Sequence, residues 1–64
     1  MKVKEIKALR AKYDYSQQDC AKLLGMSRPT YSKKENGTKE FTFDEVVTLL
    51  RNWNEVDKIN DLIN

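Results

Sequence analysis

QQDCAKLLGMSRPTYSKKEN, residues 17–36, has the pattern of two short helices joined by a tight turn. Two helices that cross steeply through a turn of about three or four residues make four local demands. The first helix needs a small side chain where the second packs close, and Ala21 supplies it. The turn needs a residue that tolerates positive φ, and Gly25 stands four positions later. An apolar side chain should then plug the gap between the helices, and Met26 follows at once. The second helix needs an apolar inward residue midway, and Tyr31 fits.

The ends of both helices are also written locally. Ser16 can accept a hydrogen bond from the unpaired amides of the turn it precedes, and Asp19 stands three positions on, where a capping box prefers Glu or Gln. The resulting helix spans about Gln17–Leu24, with Cys20, Ala21 and Leu24 facing inward. Ser27 is a second N-cap. Pro29 falls in the first turn, where a missing amide costs little. Met26 and Tyr31 occupy the two positions of a hydrophobic staple, the helix runs to about Asn36, and Gly37 stops it.

Outward from this core, Val3, Ile6, Leu9 and Tyr13 recur at three- and four-residue steps and predict a helix over about 2–13. Thr42-Phe43-Asp44-Glu45 is a capping box with the preferred Glu, flanked by Phe41 and Val46 in the staple positions. It predicts a helix from 43 to about 52 with Phe43, Val46, Val47, Leu50 and Trp53 as its buried stripe. Asn54 is read as the cap of a last helix carrying Val56, Ile59, Leu62 and Ile63. The expectation is an all-α fold of five short helices, with residues 1–64 forming a single domain and no strand.

Composition narrows the function. A chain of 64 residues buries a modest fraction of its surface, and a lone Cys20 rules out an internal disulfide and suits a reducing, cytoplasmic setting. There is no histidine, so the common zinc patterns and His-based acid–base chemistry are missing. Cys20 sits on an apolar helix face where a thiolate is disfavoured, which makes it a packing residue. No enzyme, metal or cofactor is expected. No apolar run approaches a membrane span and the N-terminus lacks the apolar stretch of a signal peptide. Net charge is +2, but residues 1–40 carry ten Lys/Arg against five Asp/Glu while residues 41–64 carry two against five. A basic face for a polyanion and an acidic end directed elsewhere would produce that asymmetry, as would an ordinary solvated surface.

Leu9-Arg10, Ser16-Gln17, Ala21, Leu24-Gly25-Met26-Ser27 and Glu35-Asn36-Gly37 together resemble the lambda-repressor-like (Cro and repressor, or Xre) helix-turn-helix proteins of phages and bacteria. The resemblance extends over nearly the whole chain in length and helix order, with its specific motif at about residues 9–37. It implies a sequence-specific transcriptional regulator whose helix 28–36 reads the DNA major groove. It implies that Gln17 and Asn36 hold phosphates, that Ser27 caps the recognition helix and offers hydroxyl or amide to a phosphate, and that Arg28, Pro29, Thr30 and Lys33 face the groove. Arg10 and Glu35 match an internal ion pair of many relatives.

The chemistry of those residues agrees. A helix entering the groove by its N-terminus presents free amides and positive dipole to phosphate. Arg28 can bond guanine through its planar fork, and Thr30 can donate, accept or lay its methyl on thymine. Lys33 reaches the groove or a phosphate, and Lys22 and Lys39 are further phosphate candidates.

Lys34 departs from the family, whose members usually carry an apolar residue there. Either its methylenes lie on the core while its ammonium escapes, or the helix is rotated and Glu35 faces elsewhere. The expected partner is a double-stranded operator, bound by one copy or by a homodimer that uses Ile59, Leu62 and Ile63 or the loop before Thr42. Those same apolar residues could instead complete the monomer core. The alternative function is that of an antirepressor, using the fold to bind a repressor protein.

Overall fold

The computed structural model describes residues 2–63. Among them the secondary structure is wholly helical, with α1 (Val3–Lys12), α2 (Gln17–Leu24), α3 (Arg28–Glu35), α4 (Phe43–Asn52), a 3-10 turn (Val56–Lys58) and α5 (Ile59–Ile63). Side-chain chemistry starts three of these helices. Ser16 Oγ accepts the Asp19 N–H at 3.0 Å and the Asp19 carboxylate accepts the Ser16 N–H at 2.9 Å, so the shorter acid closes a full capping box. Thr42 and Glu45 do the same for α4, at 3.1 and 2.9 Å. Ser27 caps α3 by accepting the Thr30 N–H at 3.3 Å.

Left-handed residues end the helices. Gly25 follows α2 at φ 71°, and the Met26 N–H then reaches Ala21 O at 2.9 Å, redirecting the chain into α3. Asp14 (φ 58°) does the same for α1, where the Tyr15 N–H bonds Arg10 O at 2.9 Å. Asn54 (φ 57°) closes α4, with the Glu55 N–H on Leu50 O at 2.7 Å. This corrects the expectation at Asn54: it terminates α4 and does not cap a last helix. The final segment therefore begins as a 3-10 turn without a side-chain cap.

Ile6, Leu9, Cys20, Ala21, Tyr31, Phe41, Val46, Leu49, Leu50, Trp53 and Leu62 form one buried cluster. Tyr31 and Phe41 meet edge to face with centroids 5.8 Å apart, and Trp53 stacks on Tyr13 at 5.9 Å and meets the edge of Tyr15. Two apolar expectations are corrected. Phe43 is 57% exposed, while Leu49, outside the expected stripe, is fully buried. At ~100° per residue the directions of Val46, Leu49, Leu50 and Trp53 centre on a line about 70° away from Phe43. In the last segment Leu62 is fully buried in the core and Ile59 packs against it partly buried, whereas Val56 and Ile63 are exposed, so of Ile59, Leu62 and Ile63 it is Ile63 that is left open.

Candidate nucleic-acid interface

Helix α3 packs on α2 and α1, and its buried residues are Tyr31, Lys34 and Glu35, three to four positions apart on one side. The opposite side is open. Pro29, Lys33 and Asn36 follow one another along it at steps of four and three residues, with Arg28 and Ser32 in the adjacent column. Arg28, Pro29, Lys33 and Asn36 are exposed, and Thr30 and Ser32 are half-buried. Ser32 was not among the sequence candidates. It lies four residues after Arg28 on the same side, and that spacing is the signal that could have found it.

The polar atoms of this surface are only partly engaged. Ser27 Oγ donates to Thr30 Oγ1 at 3.0 Å while accepting the Thr30 amide, which leaves the Thr30 hydroxyl proton free to donate outward. Asn36 Oδ1 accepts the Thr38 N–H at 2.9 Å, so its amide group faces solvent as a pure donor. Gly37, at φ 88°, turns the chain out of α3 into a loop that brings the Lys39 N–H onto Lys33 O at 3.1 Å, placing exposed Lys39 beside the end of the helix. Gln17 is half-buried and donates one amide proton to Glu35 Oε1 at 3.2 Å.

Behind α3, Arg10 Nε and the second guanidinium nitrogen reach Glu35 Oε2 and Oε1 at 2.9 and 3.0 Å, a bidentate pair. The Tyr31 hydroxyl donates to Glu35 Oε2 at 2.7 Å, and Arg10 also donates to Tyr15 O at 2.8 Å. One carboxylate thus ties α3 to α1 and α2, and Glu35 is directed inward. The helix is therefore not rotated to accommodate Lys34, which is 5% exposed and donates to Glu45 Oε1 at 2.5 Å.

Two helices, a left-handed glycine at their junction, and a second helix with one anchored and one open side constitute a helix-turn-helix. A helix-turn-helix family model matches residues 6–52, from within α1 to the end of α4. The chain belongs to the lambda-repressor-like helix-turn-helix family. It is thus a DNA-binding helix-turn-helix regulator in the general sense of that family. No curated protein and no solved structure matches the chain.

Charge in this family member is arranged around α3. The first turns of α1, α2, α4 and α5 each contain an acid, namely Glu5, Asp19, Asp44 with Glu45, and Asp61. The first turn of α3 contains none and instead opens on Arg28. Within the molecule a cation at that end is unfavourable by about 0.3–1 kcal/mol, because it meets the positive pole of the helix dipole. Arg28, Lys33 and Lys39 make no ion pair among the described residues, as is also true of Lys2, Lys4, Lys7, Lys22 and Arg51, while Arg10, Lys12, Lys34 and Lys58 are paired with glutamates. The exposed acids Asp14 and Asp19 line a shallow groove with Tyr15, Lys22, Leu23 and Asn52, and no α3 residue contributes to it.

Burial pushes the Glu35 carboxyl upward, but the hydrogen bonds from Arg10, Tyr31 and Gln17 outweigh it and hold the group below its ordinary value. Glu45 is likewise held low, with burial overcome by Lys34 and the Thr42 amide. A depressed carboxyl contributes stability above its unfolded value, near 4.3 for Glu, and that contribution disappears as pH falls through the folded value. Thermal stability is therefore expected to hold at neutral pH and to fall on acidification below about pH 4. Glu35→Gln should flatten that acid limb, and melting curves across the acid range that overlay the parent's would contradict this. Burial, and then Arg10's neighbour Glu35, raise the Tyr31 hydroxyl far above its usual range, so it stays a donor throughout. Burial also raises the Cys20 thiol, consistent with a packing residue.

Among the described residues no helix is long and apolar enough to cross a membrane, and no group of His, Cys, Asp and Glu could hold a metal ion.

Proposed function

We propose that this protein is a sequence-specific transcriptional regulator, Cro-like or repressor-like, that lays α3 in the major groove of an operator. The observation that carries the reading is the uncompensated N-terminus of α3. It is a helix start with no acid in its first turn, opening on an arginine, beside lysines that have no internal partner. A phosphate backbone supplies the missing negative charge.

In this reading Arg28 bonds a guanine edge, while Thr30 and Ser32 contact bases through their hydroxyls and Pro29 shapes the entry. Ser27, with Gln17, Lys33, Asn36 and Lys39, holds the backbone on either side of the groove. Binding as a homodimer, with the two copies of α3 about 34 Å apart on one face of the duplex, belongs to the same proposal.

Titration of a mixed-sequence duplex across salt concentrations tests the electrostatic part. The logarithm of the association constant should fall linearly with the logarithm of salt, with a slope of about −2 to −4 for the few cations available. Binding that is absent, or indifferent to salt, would overturn the reading and direct the search to a repressor protein as partner.

A further inference from the structure

Lys33 and Lys34 are adjacent lysines on α3 with opposite surroundings. Lys33 is exposed and has no ion-pair partner among the described residues. Lys34 is 5% exposed, and its ammonium lies 2.5 Å from Glu45 Oε1. Glu45 is also the acid of the α4 capping box, accepting the Thr42 N–H through that same Oε1 at 2.9 Å. The bond therefore joins the last turn of α3 to the first turn of α4 across the loop that carries Asn36 and Lys39.

The backbone of α3 approaches α2 and α1 more closely than it approaches α4. Tyr31 meets Phe41, in the loop before α4, edge to face, and shares the core with Val46, Leu49 and Leu50 of α4. On the α1 and α2 side, Glu35 is fixed by Arg10, Gln17 and Tyr31. Two consecutive residues of opposite charge thus hold the end of α3 from two sides, Glu35 toward α1 and α2, and Lys34 toward α4.

We infer that Lys34 and Glu45 are a positioning pair for DNA reading, fixing the last turn of α3 and the Asn36–Lys39 loop against α4 so that operator is distinguished from other sequence. This assignment rests on the DNA-binding reading proposed above. Lys34 itself touches no DNA: its charge is buried and neutralised, so it releases no counterions when DNA binds. Its value lies in orientation, because contacts to base edges tolerate less displacement than attraction to phosphate.

The test compares Lys34→Met, Lys33→Met and Glu45→Gln in the full chain. Each is assayed by thermal melting and by titration of its selected operator and of a mixed-sequence duplex across salt. Methionine suits position 34 because its unbranched apolar side chain can fill the space of the buried lysine methylenes while removing the charge. Glu45, with its side chain 20% exposed and still capping α4, is not stranded by the change.

Lys34→Met should lower the ratio of operator to mixed-sequence affinity by about tenfold, within the range by which groups in contact couple, and leave the salt slope unchanged. Lys33→Met should reduce the slope by about one unit. Glu45→Gln should lower the ratio in the same direction, and the Lys34→Met/Glu45→Gln double variant should lose little more than either single one. Faster amide exchange at Asn36–Lys39 in Lys34→Met, measured without DNA, should accompany the loss.

A salt slope reduced by Lys34→Met would make Lys34 a phosphate contact and overturn the inference. So would an unchanged affinity ratio in a variant that melts lower, which is the mark of a purely structural pair. If the parent protein distinguishes no sequence at all, the functional reading fails and this role fails with it. A parent that does distinguish, beside a variant with an unaltered ratio, removes the positioning role alone.

Discussion

Arg10→Ala is expected to lower the melting temperature by about 10 °C or more. The guanidinium makes two bonds to Glu35 and one to Tyr15 O, and its removal leaves a carboxylate whose side chain is 4% exposed with only Tyr31 and Gln17 as donors. Breaking a buried pair by deleting one partner typically costs about 3–5 kcal/mol. Arg10 is 17% exposed, so water partly replaces it, and about 2–3 kcal/mol is the fitting range. A domain of this size shifts by about 4–8 °C per kcal/mol, and its total stability is of the order of 3–10 kcal/mol.

The sharper form of this prediction adds a double variant. Arg10→Met/Glu35→Met removes both charges and should recover part of the loss, because no charge is left buried and unpaired, although the Tyr31 hydroxyl loses its acceptor. Calorimetry in which Arg10→Ala melts with the parent would show that the pair contributes nothing to stability. If the double variant melted as low as Arg10→Ala, the loss would lie in packing and not in a stranded carboxylate.

Arg28→Ala should leave the fold intact and damage recognition. Arg28 is exposed, forms no ion pair among the described residues and occupies the first position of α3. Removing it relieves an unfavourable contact with the helix dipole, so the melting temperature should be unchanged or slightly higher. On its selected operator the variant should lose about 1–3 kcal/mol, roughly five- to 150-fold in affinity, and accept other bases at one position. Competition titrations with operators varied at that position read both effects. Equal losses on operator and mixed sequence would confine Arg28 to phosphate.

The two predictions separate the faces of α3. The Arg10–Glu35 pair behind it is an anchor whose loss is seen in melting, and Arg28 on its open side is a reader whose loss is seen only with DNA. A change on either side that moved both observables equally would blur that division.

What could be read from the sequence was what depends on near neighbours. Ser16, Ser27 and Thr42 cap helices by bonds that span three residues, so each start was visible without knowing the rest of the fold. Gly25 was legible for the same reason. The failures all depend on tertiary context. Phe43 has the right spacing for a buried stripe, but Leu49 aims α4 elsewhere, and nothing local to residues 43–46 could say so. Asn54 serves equally as an N-cap or as a left-handed helix stop, and the path of the following chain decides between them. Lys34 left two arrangements open because its partner, Glu45, lies eleven residues away on another helix.

The open side of α3 was legible to a similar degree. Arg28, Lys33 and Asn36 lie on the open side of α3 and Lys39 stands at its end, but Ser32 became a candidate only once Tyr31 and Glu35 had fixed which side was open. For Gln17, the resemblance implied a phosphate contact, while the structure also engages it with Glu35. That inward bond spans eighteen residues and could not be foreseen from the helix start alone.

The most direct test of the claim that α3 reads DNA sequence is selection from a pool of randomised duplexes by the full chain, at low and at moderate salt. Enrichment of a short common site is expected at both, with affinity falling steeply as salt rises. A pool that emerges as random as it began, at both salt concentrations, would contradict it.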